Sequence, residues 1–515
     1  MITMEQITTS LCLFLALLLP LVLLGARRAN GNGSGHRLPP GPWRLPVIGS
    51  LHHLVGKPHA HRAMADLARR HSAPLMHLQL GEVTFVVASS PAAAREILRT
   101  HESSFASRPS SSAKHAMMSS DGAGLASSPY GAHWRQLRRI YIQELLSARR
   151  VRSFRHVREE EVARLVAGVA VAAKAGEAAN VSERAAVAVT DAAVRAIIGD
   201  RFQRRDEYLE GMAEVGKLLL GFSLADLFPS SRLAELVSGT TRRAEATRRK
   251  MFELMDCAIR QHQERRSDVD SEEDEDILGV LLRIHHDHEE GYEIPLTMGG
   301  VKDIILDLFL AGTETSAATL QWAMSELVRN PRILQKAQAE LRDKLQGRAT
   351  VTEDDLPGLN YLKLVIKETL RLHPAAPLLI RECGEPCKVL GYDVPRGAHA
   401  FVNAWTINRD PEHWADAEAF WPERFEFEAR AVDLRGGADL EFISFGAGRR
   451  MCPGVAFAGA VMELALAAML YHFDWELPAG VAPGDVDMEE ETGVVVRRKN
   501  DLYLCPVVRV PPRAA

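Results

Sequence analysis

The sequence predicts a mainly α-helical protein with small β-sheets, joined to a transmembrane helix at its amino end. Three observations support this prediction: a largely apolar run of 20 residues near the start, many long segments with helical periodicity, and strand patterns that are short and local. Of the 515 residues, 46% are hydrophobic and 25% are charged, which are ordinary values for a globular protein. A chain of this composition can bury a sizeable core.

Residues 1–28 are predicted to form a transmembrane signal anchor. The chain carries no charge between Glu5 and Arg27, and residues 7–26 are long enough to cross a bilayer. A cleaved signal peptide is the alternative, but it would need positive charge before the apolar run, whereas here the arginines follow it. This order of charges places the rest of the chain in the cytoplasm.

Residues 29–44 are predicted to be a flexible linker followed by a proline-rich hinge. The stretch 30–35 is rich in Gly, Asn and Ser and has no core-forming residue. The prolines of Leu-Pro-Pro-Gly-Pro at 38–42 restrict the backbone where the chain leaves this stretch. Length alone, at about 150 residues per domain, suggests about three domains.

Helical periodicity dominates the chain beyond the hinge, with two short strand patterns. A hairpin is predicted from residues 75–80 and 84–88, and a single strand from residues 389–394. Helices are predicted at 60–70, 91–99, 134–146, 154–173, 244–265, 277–285, 298–328, 330–346 and 359–372.

Charge and cysteine content exclude several classes of protein. Lys and Arg number 62 against 67 Asp and Glu, a formal net charge of -5, which removes the electrostatic reason to expect nucleic acid. Six cysteines are too few for a disulfide framework in a chain of this length, so a reducing compartment is expected. Cys383 and Cys387 could form half of a zinc site, but no matching pair follows, and two ordinary thiols are favoured.

Two polar stretches are interpreted as exposed connectors. Seven of the nine residues 268–276 are acidic, and such a block repels itself and stays hydrated. Residues 285–289 read His-His-Asp-His-Glu, which is a plausible set of metal ligands, but they lie beside a predicted helix end in the same polar stretch. A solvent-exposed loop is therefore favoured over a metal site.

The chemistry concentrates in residues 445–454, which read Phe-Gly-Ala-Gly-Arg-Arg-Met-Cys-Pro-Gly. A strongly helical, apolar sequence follows, so Cys452 stands just before a helix amino terminus. Backbone N–H groups and the helix dipole stabilise a thiolate there, which is the form of cysteine that ligates iron. The glycines, including Gly448, permit a tight turn beside a flat ligand. The Arg450 guanidinium can donate two parallel hydrogen bonds to a carboxylate on that ligand.

A phosphate-binding loop is the alternative, but Met451 stands where a dinucleotide fingerprint needs its third glycine. The full spacing Phe-x-x-Gly-x-Arg-x-Cys-x-Gly, starting at Phe445, is more specific, and it resembles the haem-binding loop of the cytochrome P450 family. With the anchor and hinge, it resembles plant microsomal A-type members. The resemblance implies that residues 45–515 form one domain with the P450 fold, holding haem b through Cys452.

Distant segments are similar to further motifs of this family. Glu368 and Arg371 lie three apart on a predicted helix, and with Arg424 they resemble the family's Glu-Arg-Arg network behind the haem; alone, the first two would be an ordinary surface pair. Trp134 and Arg138 share one helix face and resemble the segment that holds a haem propionate. The choice of Arg138 over the neighbouring arginines rests on the resemblance.

The segment Ala-Gly-Thr-Glu-Thr-Ser at 311–316 resembles the oxygen-binding part of the family's long central helix. The resemblance implies that Glu314 and Thr315 deliver protons during oxygen activation. A purely structural alternative is a hydrogen bond from the Thr315 hydroxyl back to the carbonyl of Ala311.

The resemblance implies a monooxygenase that uses O2 and electrons from NADPH, delivered by NADPH-cytochrome P450 reductase to a single-pass protein of the endoplasmic reticulum membrane. Arg449 is a candidate for the reductase-docking surface. Reductase-independent isomerase or dehydratase chemistry, and a non-catalytic haem-binding protein, remain as alternatives.

The resemblance also implies an apolar pocket lined by residues 105–128, 218–228, 304–311, 375–380 and 493–496, most of them apolar or small. A hydrophobic plant specialised metabolite is expected as the substrate. A terpenoid such as a diterpene is favoured over indole-derived and phenylpropanoid compounds.

Overall fold

The structure is a computed structural model that describes residues 37–117, 124–219, 223–266, 275–287, 292–427, 433–435, 440–493 and 495–512. It confirms a mainly helical body with small sheets. The predicted anchor at 1–28, most of the linker and most of the acidic run at 268–276 lie outside the described residues.

Numbered in chain order, the α-helices are α1 (Ala60–Arg70), α2 (Pro91–Arg95), α3 (Ser112–Met117), α4 (Ala132–Ile140), α5 (Ala148–Ser153), α6 (Arg155–Ala175), α7 (Val181–Ile198), α8 (Arg205–Leu219), α9 (Leu224–Leu227), α10 (Arg232–Ser238), α11 (Thr240–Arg266), α12 (Ile277–Asp287), α13 (Met298–Arg329), α14 (Pro331–Lys344), α15 (Asn360–Leu372), α16 (Ala404–Ile407) and α17 (Val455–His472).

The long helices α7 and α8 are absent from the sequence-based prediction. α7 is buried on most of its faces, so it lacks the alternation of apolar and polar positions on which that prediction depends. Its ends carry readable signals: the Asn180 side chain accepts the N–H of Glu183, and Gly199 ends the helix with a φ of 76°.

Two predicted helices contain a change of helix type. The segments 91–99 and 134–146 begin as α2 and α4 and continue as the π-helical turns Glu96–Thr100 and Tyr141–Leu145. Sequence periodicity does not distinguish the two helix types over a single turn.

The strands form four small sheets. The largest has the order β1 (Leu75–Leu80), β2 (Val83–Ala88), β7 (His399–Asn403), β4 (Leu378–Glu382), with β2 and β7 parallel and the other pairs antiparallel. The others are antiparallel and contain β3 (Ala179–Asn180) with β11 (Tyr503–Val508) and β8 (Phe473–Glu476), β5 (Cys387–Val389) with β6 (Tyr392–Val394), and β9 (Glu490–Thr492) with β10 (Val496–Arg498).

The prediction of one strand over residues 389–394 is wrong. The chain forms the β5–β6 hairpin instead, with Cys387 opposite Val394. It turns at Leu390 and Gly391, whose φ angles are 49° and 79°. A leucine in a left-handed conformation is uncommon, so the sequence carries only a weak turn signal there.

The 32-residue helix α13 runs through the middle of the core, against α7, α15 and α17. Of the helices in the described part of the chain, α17 alone is long and apolar enough to cross a membrane. Its apolar window is 78% buried inside the protein, so α17 is a core helix. It lies directly after the cysteine loop and fixes the position of that loop against the core.

The described part of the hinge packs on β1. The His77 N–H donates to the Pro40 carbonyl at 2.8 Å, and a Cβ on Gly41 would lie 2.0 Å from the His77 carbonyl oxygen. Glycine is therefore required at this position by a close backbone approach. The chain leading from the predicted anchor is held against the largest sheet before it enters the domain.

The polar stretch at 285–289 is only partly described. The helix predicted at 277–285 is observed as α12, which continues to Asp287, so the expected loop is wrong for His286 and Asp287. His285 Nδ1 is 2.6 Å from the Leu296 carbonyl oxygen. Within the described ranges no group of three or more His, Cys, Asp and Glu side chains could hold a metal ion. Cys383 and Cys387 are free thiols, and Cys383 is fully buried.

Candidate active site around Cys452

The cysteine loop is a tight turn held by its own backbone. The Cys452 N–H donates to the Phe445 carbonyl at 3.0 Å, and Gly446 and Gly448 have φ angles of 72° and 68°. A Cβ on Gly448 would lie 2.1 Å from the carbonyl oxygen of Leu98. Gly448 is thus required both by its conformation and by contact with the π-helical turn after α2.

Burial raises the pKa of the Cys452 thiol, while a hydrogen bond from the Gly454 N–H and the positive charges of Arg138 and Arg108 lower it. Burial is the larger effect. A thiolate here therefore needs a bound cation to compensate for its desolvation, and a ferric iron would supply that charge. α17 begins three residues later, so its amino-terminal dipole adds to the stabilisation.

Arg450 is buried and holds a neighbouring turn. Its guanidinium donates to the carbonyl oxygens of Ala106 at 2.7 Å, Leu125 at 2.9 Å and Ser128 at 2.6 Å, and it lies 4.6 Å above the Trp134 ring. Three of its N–H groups are therefore engaged by the backbone, and the remaining two are available for a carboxylate.

α4 presents Trp134 and Arg138 to the same region. Trp134 is buried, and its indole N–H has no acceptor among the described residues. Arg138 is partly buried and close enough to Cys452 for their charges to interact, whereas Arg135 and Arg139 are exposed and lie over the rings of Tyr130 and Tyr292. The structure thus provides an independent reason to select Arg138.

Three charged residues of this interior were not singled out from the sequence: Arg381, and Arg108 and Asp307, which lie within the ranges expected to line the pocket. Burial lowers the pKa of Arg108 and Arg381, and it raises the pKa of Asp307 to about 6. Arg108 lies within electrostatic reach of both Asp307 and Cys452, so it links α13 to the cysteine loop. An arginine within the apolar strand Leu-Leu-Ile-Arg-Glu was the one available sequence signal, and it concerns Arg381.

The buried charges of this interior are predominantly positive. Asp307 faces Arg108 and Arg450. Arg381 adds a further positive charge, and the charged groups that shift its pKa are the two arginines Arg108 and Arg450. Such an excess is costly unless an anionic group occupies the space. The unpartnered Trp134 N–H and these arginines therefore fit a haem, whose two propionate carboxylates would accept from them while Cys452 ligates the iron.

Glu314 and Thr315 lie midway along α13, where the helix is less buried than along most of its length. Ala311 is exposed and Glu314 and Thr315 are partly exposed, so protein atoms do not fully cover this part of the helix. The Thr315 hydroxyl donates to the Ala311 carbonyl at 2.8 Å, which is the structural alternative raised by the sequence. Burial raises the pKa of Glu314, Arg497 lowers it, and Glu491 raises it.

Glu368, Arg371 and Arg424 meet behind the cysteine loop. The Arg371 guanidinium donates to both Glu368 oxygens, at 2.8 and 2.9 Å, and Arg424 Nε donates to Glu368 Oε1 at 3.1 Å. Glu368 and Arg371 have no exposed surface. The two arginines also bind backbone carbonyls of the segment 408–419, so the network fastens that segment to α15.

Comparisons with known proteins agree with this geometry. The family model for cytochrome P450 matches residues 39–505. The chain belongs to the cytochrome P450 family. Desmethyl-deoxy-podophyllotoxin synthase of Sinopodophyllum hexandrum is 44% identical over 96% of this chain and 96% of its own length. Dolabradiene monooxygenase of Zea mays is 46% identical, covering 92% of this P450 and 93% of the relative.

A further relative and a solved structure extend the comparison. Ent-isokaurene C2/C3-hydroxylase of Oryza sativa subsp. japonica is 44% identical over 93% of this P450 and 94% of its own length. A zebra fish cytochrome P450, in a structure with abiraterone, superposes with a TM-score of 0.71 at 23% identity, covering 88% of this chain and 100% of that chain. This confirms the P450 fold. The protein is a cytochrome P450 monooxygenase, and the family implies a thiolate-ligated haem.

The expected lining of the P450's pocket is brought together at two points. The turn at 124–128 joins α13 where the Ala126 N–H donates to Asp307, and the segment after β9 joins residue 375 where the Val496 N–H donates to the Ala375 carbonyl at 2.9 Å. Arg449, the candidate for reductase docking, is exposed but paired with Glu102 at 3.0 Å and bonded to the Tyr130 hydroxyl. Glu102 offsets the charge on which that role would depend.

Proposed function

We propose that this P450 hydroxylates a hydrophobic plant specialised metabolite, with a terpenoid such as a diterpene favoured, using O2 and electrons passed from NADPH through a P450 reductase. The supporting observation is that Arg108 lies within electrostatic reach of both the Cys452 thiol and Asp307, which stands eight residues before Thr315 on α13. In this proposal the predicted anchor at 1–28 holds the domain on the cytoplasmic side of the endoplasmic reticulum membrane.

Haem b, when bound, would supply the chemistry of oxygen activation, and Cys452 would hold its iron. Trp134, Arg138 and Arg450 are assigned to its carboxylates, since each directs N–H groups or positive charge into the same buried space. Gly448 allows the loop to approach closely, and the Phe445 carbonyl holds the Cys452 N–H.

Glu314 and Thr315 are proposed to move protons on the opposite side of the site. The Thr315 hydroxyl can rotate from the Ala311 carbonyl to donate into the cavity, because that carbonyl is also an acceptor of the helix ladder. Glu314 has a raised pKa, so it can hold a proton closer to neutral pH than an exposed glutamate. This acid–alcohol pair favours oxygenation over isomerase chemistry, which needs no proton delivery to oxygen.

The substrate class is proposed from the pocket and the relatives. Two of the relatives are named for oxygenating dolabradiene and ent-isokaurene, which are hydrocarbon names, and they cover most of this chain. Apart from Asp303, the buried residues of α13 that lead to Ala311 are apolar, with Ile304, Leu308 and Phe309 among them. A podophyllotoxin-type synthase at 44% identity keeps phenylpropanoid-derived substrates as the second class.

The decisive experiment is a carbon monoxide difference spectrum of the reduced, full-length protein. We expect the thiolate-type Soret band, and Cys452→Ser should abolish it, while Cys505→Ser, a substitution of a free thiol in β11, should leave it unchanged. Absence of that band in the wild type would contradict the haem-thiolate assignment. Membranes carrying the P450 and a reductase, supplied with NADPH and a panel of diterpene hydrocarbons, should then yield products with one added oxygen.

Two further measurements test the partner and the location. Product should require the reductase, and product formed without it would favour the isomerase or dehydratase alternative. Deletion of residues 1–28 should release the protein from microsomal membranes. Retention of the shortened chain on washed membranes would contradict the anchor.

A further inference from the structure

The Asp307 carboxylate on α13 accepts a hydrogen bond from the turn at 124–128. Asp307, Ala311 and Thr315 are spaced four residues apart, so they lie on one face of the helix. The Asp307 carboxylate accepts the N–H of Ala126 at 2.8 Å, across 181 residues of sequence. Asp307 is partly exposed and lies on the same helix face as the exposed Ala311 and the partly exposed Thr315.

The turn at 124–128 is held by its own backbone and by the side chains of Arg108, Arg450 and Asp307. Its own backbone closes through bonds from the Ser127 and Ser128 N–H groups to the Gly124 carbonyl, at 3.2 and 3.0 Å. Arg108 donates to the Ala126 carbonyl at 2.9 Å, and Arg450 donates to two carbonyls of the same turn. Asp307 is the contact that ties the turn to the helix carrying Thr315, while the arginines tie it to the rest of the site.

Gly124 shows how closely the carboxylate and the turn approach. A Cβ at this position would lie 2.4 Å from Asp307 Oδ2 and 3.0 Å from the Asp303 carbonyl oxygen. Any side chain at 124 would therefore displace the carboxylate from the Ala126 N–H. Gly124 and Asp307 form a matched pair, in which either residue can be altered to disturb the same contact.

We propose that Asp307 is a positioning residue that sets the cavity wall beside the oxygen-binding face of α13, by holding Ala126 and with it the turn at 124–128. The inference rests on the proposed function, since it concerns the cavity in which that function places the substrate. The distance from the wall to α13 then determines how large a molecule fits above the haem. Arg108 and Arg450 balance the charge of the carboxylate, and the turn cannot shift without breaking the Asp307 contact.

The test uses the full-length holoprotein and two haem-binding probes of different size, imidazole and 4-phenylimidazole, followed by their shift of the Soret band. Asp307→Ala and Gly124→Ala should each weaken binding of the larger probe about tenfold, because a preorganised wall is lost, and should change imidazole binding less than about twofold. Asp307→Asn keeps an acceptor for the Ala126 N–H, so it should retain most of the wild-type affinity for the larger probe. Gly131→Ala is the matched control, since a Cβ at Gly131 meets nothing within 4 Å.

An unchanged ratio of the two affinities in Gly124→Ala and Asp307→Ala, with a normal carbon monoxide spectrum, would overturn the proposal. Equal weakening of both probes would also overturn it, since that would indicate damage to the haem site and not to the wall. If Asp307→Ala fails to fold, Gly124→Ala and Asp307→Asn decide the outcome. A wild type without the thiolate-type spectrum would instead contradict the proposed function, so the two failures are distinguishable.

Discussion

The Arg371 guanidinium and the Glu368 carboxylate form a bidentate ion pair, and neither side chain has exposed surface. Such a pair stabilises a fold only when every donor and acceptor is matched, because both charges have lost their hydration. Here Arg424 Nε and the Trp421 N–H also donate hydrogen bonds to the Glu368 carboxylate. The pair therefore orders the segment behind the cysteine loop.

Glu368→Gln should destabilise the protein by about 3–5 kcal/mol, because it leaves two buried guanidinium groups without their counter-charge. The free energy of unfolding in urea, and the yield of protein with a carbon monoxide spectrum, measure the effect. Glu207→Gln is the control: Arg204 and Glu207 have the same three-residue spacing but are exposed, so no measurable change is expected. Equal effects of the two substitutions would contradict the assigned importance of burial.

Gly448→Ala should disrupt the cysteine loop more than conformational strain alone explains. Gly448 and Gly480 both have left-handed φ angles, 68° and 85°, but a Cβ meets the Leu98 carbonyl oxygen only at Gly448. Gly480→Ala should cost about 1–2 kcal/mol, and Gly448→Ala about 1–3 kcal/mol more. Thermal unfolding compares the two variants, and a similar fall in Tm for both would show that the Leu98 contact is unimportant.

Thr315→Val should lower product formed per oxygen consumed by at least about tenfold, because a hydroxyl that donates protons is removed with little change of shape. Thr315→Ser should retain most of the coupling. Thr319→Val removes a similar bond one turn further on, from the Thr319 hydroxyl to the Thr315 carbonyl at 2.9 Å, and should not affect coupling. Full coupling in Thr315→Val would leave only the structural role of the hydroxyl.

Trp134→Phe should weaken haem retention without lowering the stability of the haem-free protein, since the indole N–H has no acceptor among the described residues. Trp475→Phe should do the opposite, because its N–H donates to the Met469 carbonyl at 3.0 Å. The rate of haem transfer to apomyoglobin and the Tm of the haem-free protein separate these effects. Unchanged haem transfer from Trp134→Phe would remove this residue from the propionate site.

Glu490→Gln should destabilise the protein at neutral pH, and the difference from wild type should shrink in acid. Arg62 and His61 hold the pKa of this buried carboxyl at about 2, against 4.5 for an ordinary glutamate, with burial opposing them. Because the folded-state pKa is depressed, this stabilisation is present above pH 4.5 and is lost as the pH falls towards 2. It amounts to about 3 kcal/mol at pH 7. A Tm difference that stays constant from pH 7 to pH 3 would contradict this linkage.

Local sequence was sufficient for the features that depend on one segment at a time. The helix at residues 60–70 matches α1, whose apolar residues follow a clear helical period, and α13 matches the predicted 298–328 within one residue. Likewise the order of glycines, arginine and cysteine at 445–454 depends on a single turn, and the structure shows that turn. The hairpin at 389–394 was missed because its turn residues are unusual, and α7 was missed because it is buried on most of its faces.

The sequence by itself determined the fold class, the cysteine loop and the choice of family. Only the tertiary structure decided which charges share the buried interior: Arg108 and Asp307 are distant in sequence, and only the fold shows that Arg138 lies near Cys452 while Arg135 and Arg139 are exposed. The physical reason is that periodicity encodes which face of an element is apolar, a property of neighbouring residues. The partner and pKa of a buried charge depend instead on whatever distant backbone and side chains the packed fold brings against it.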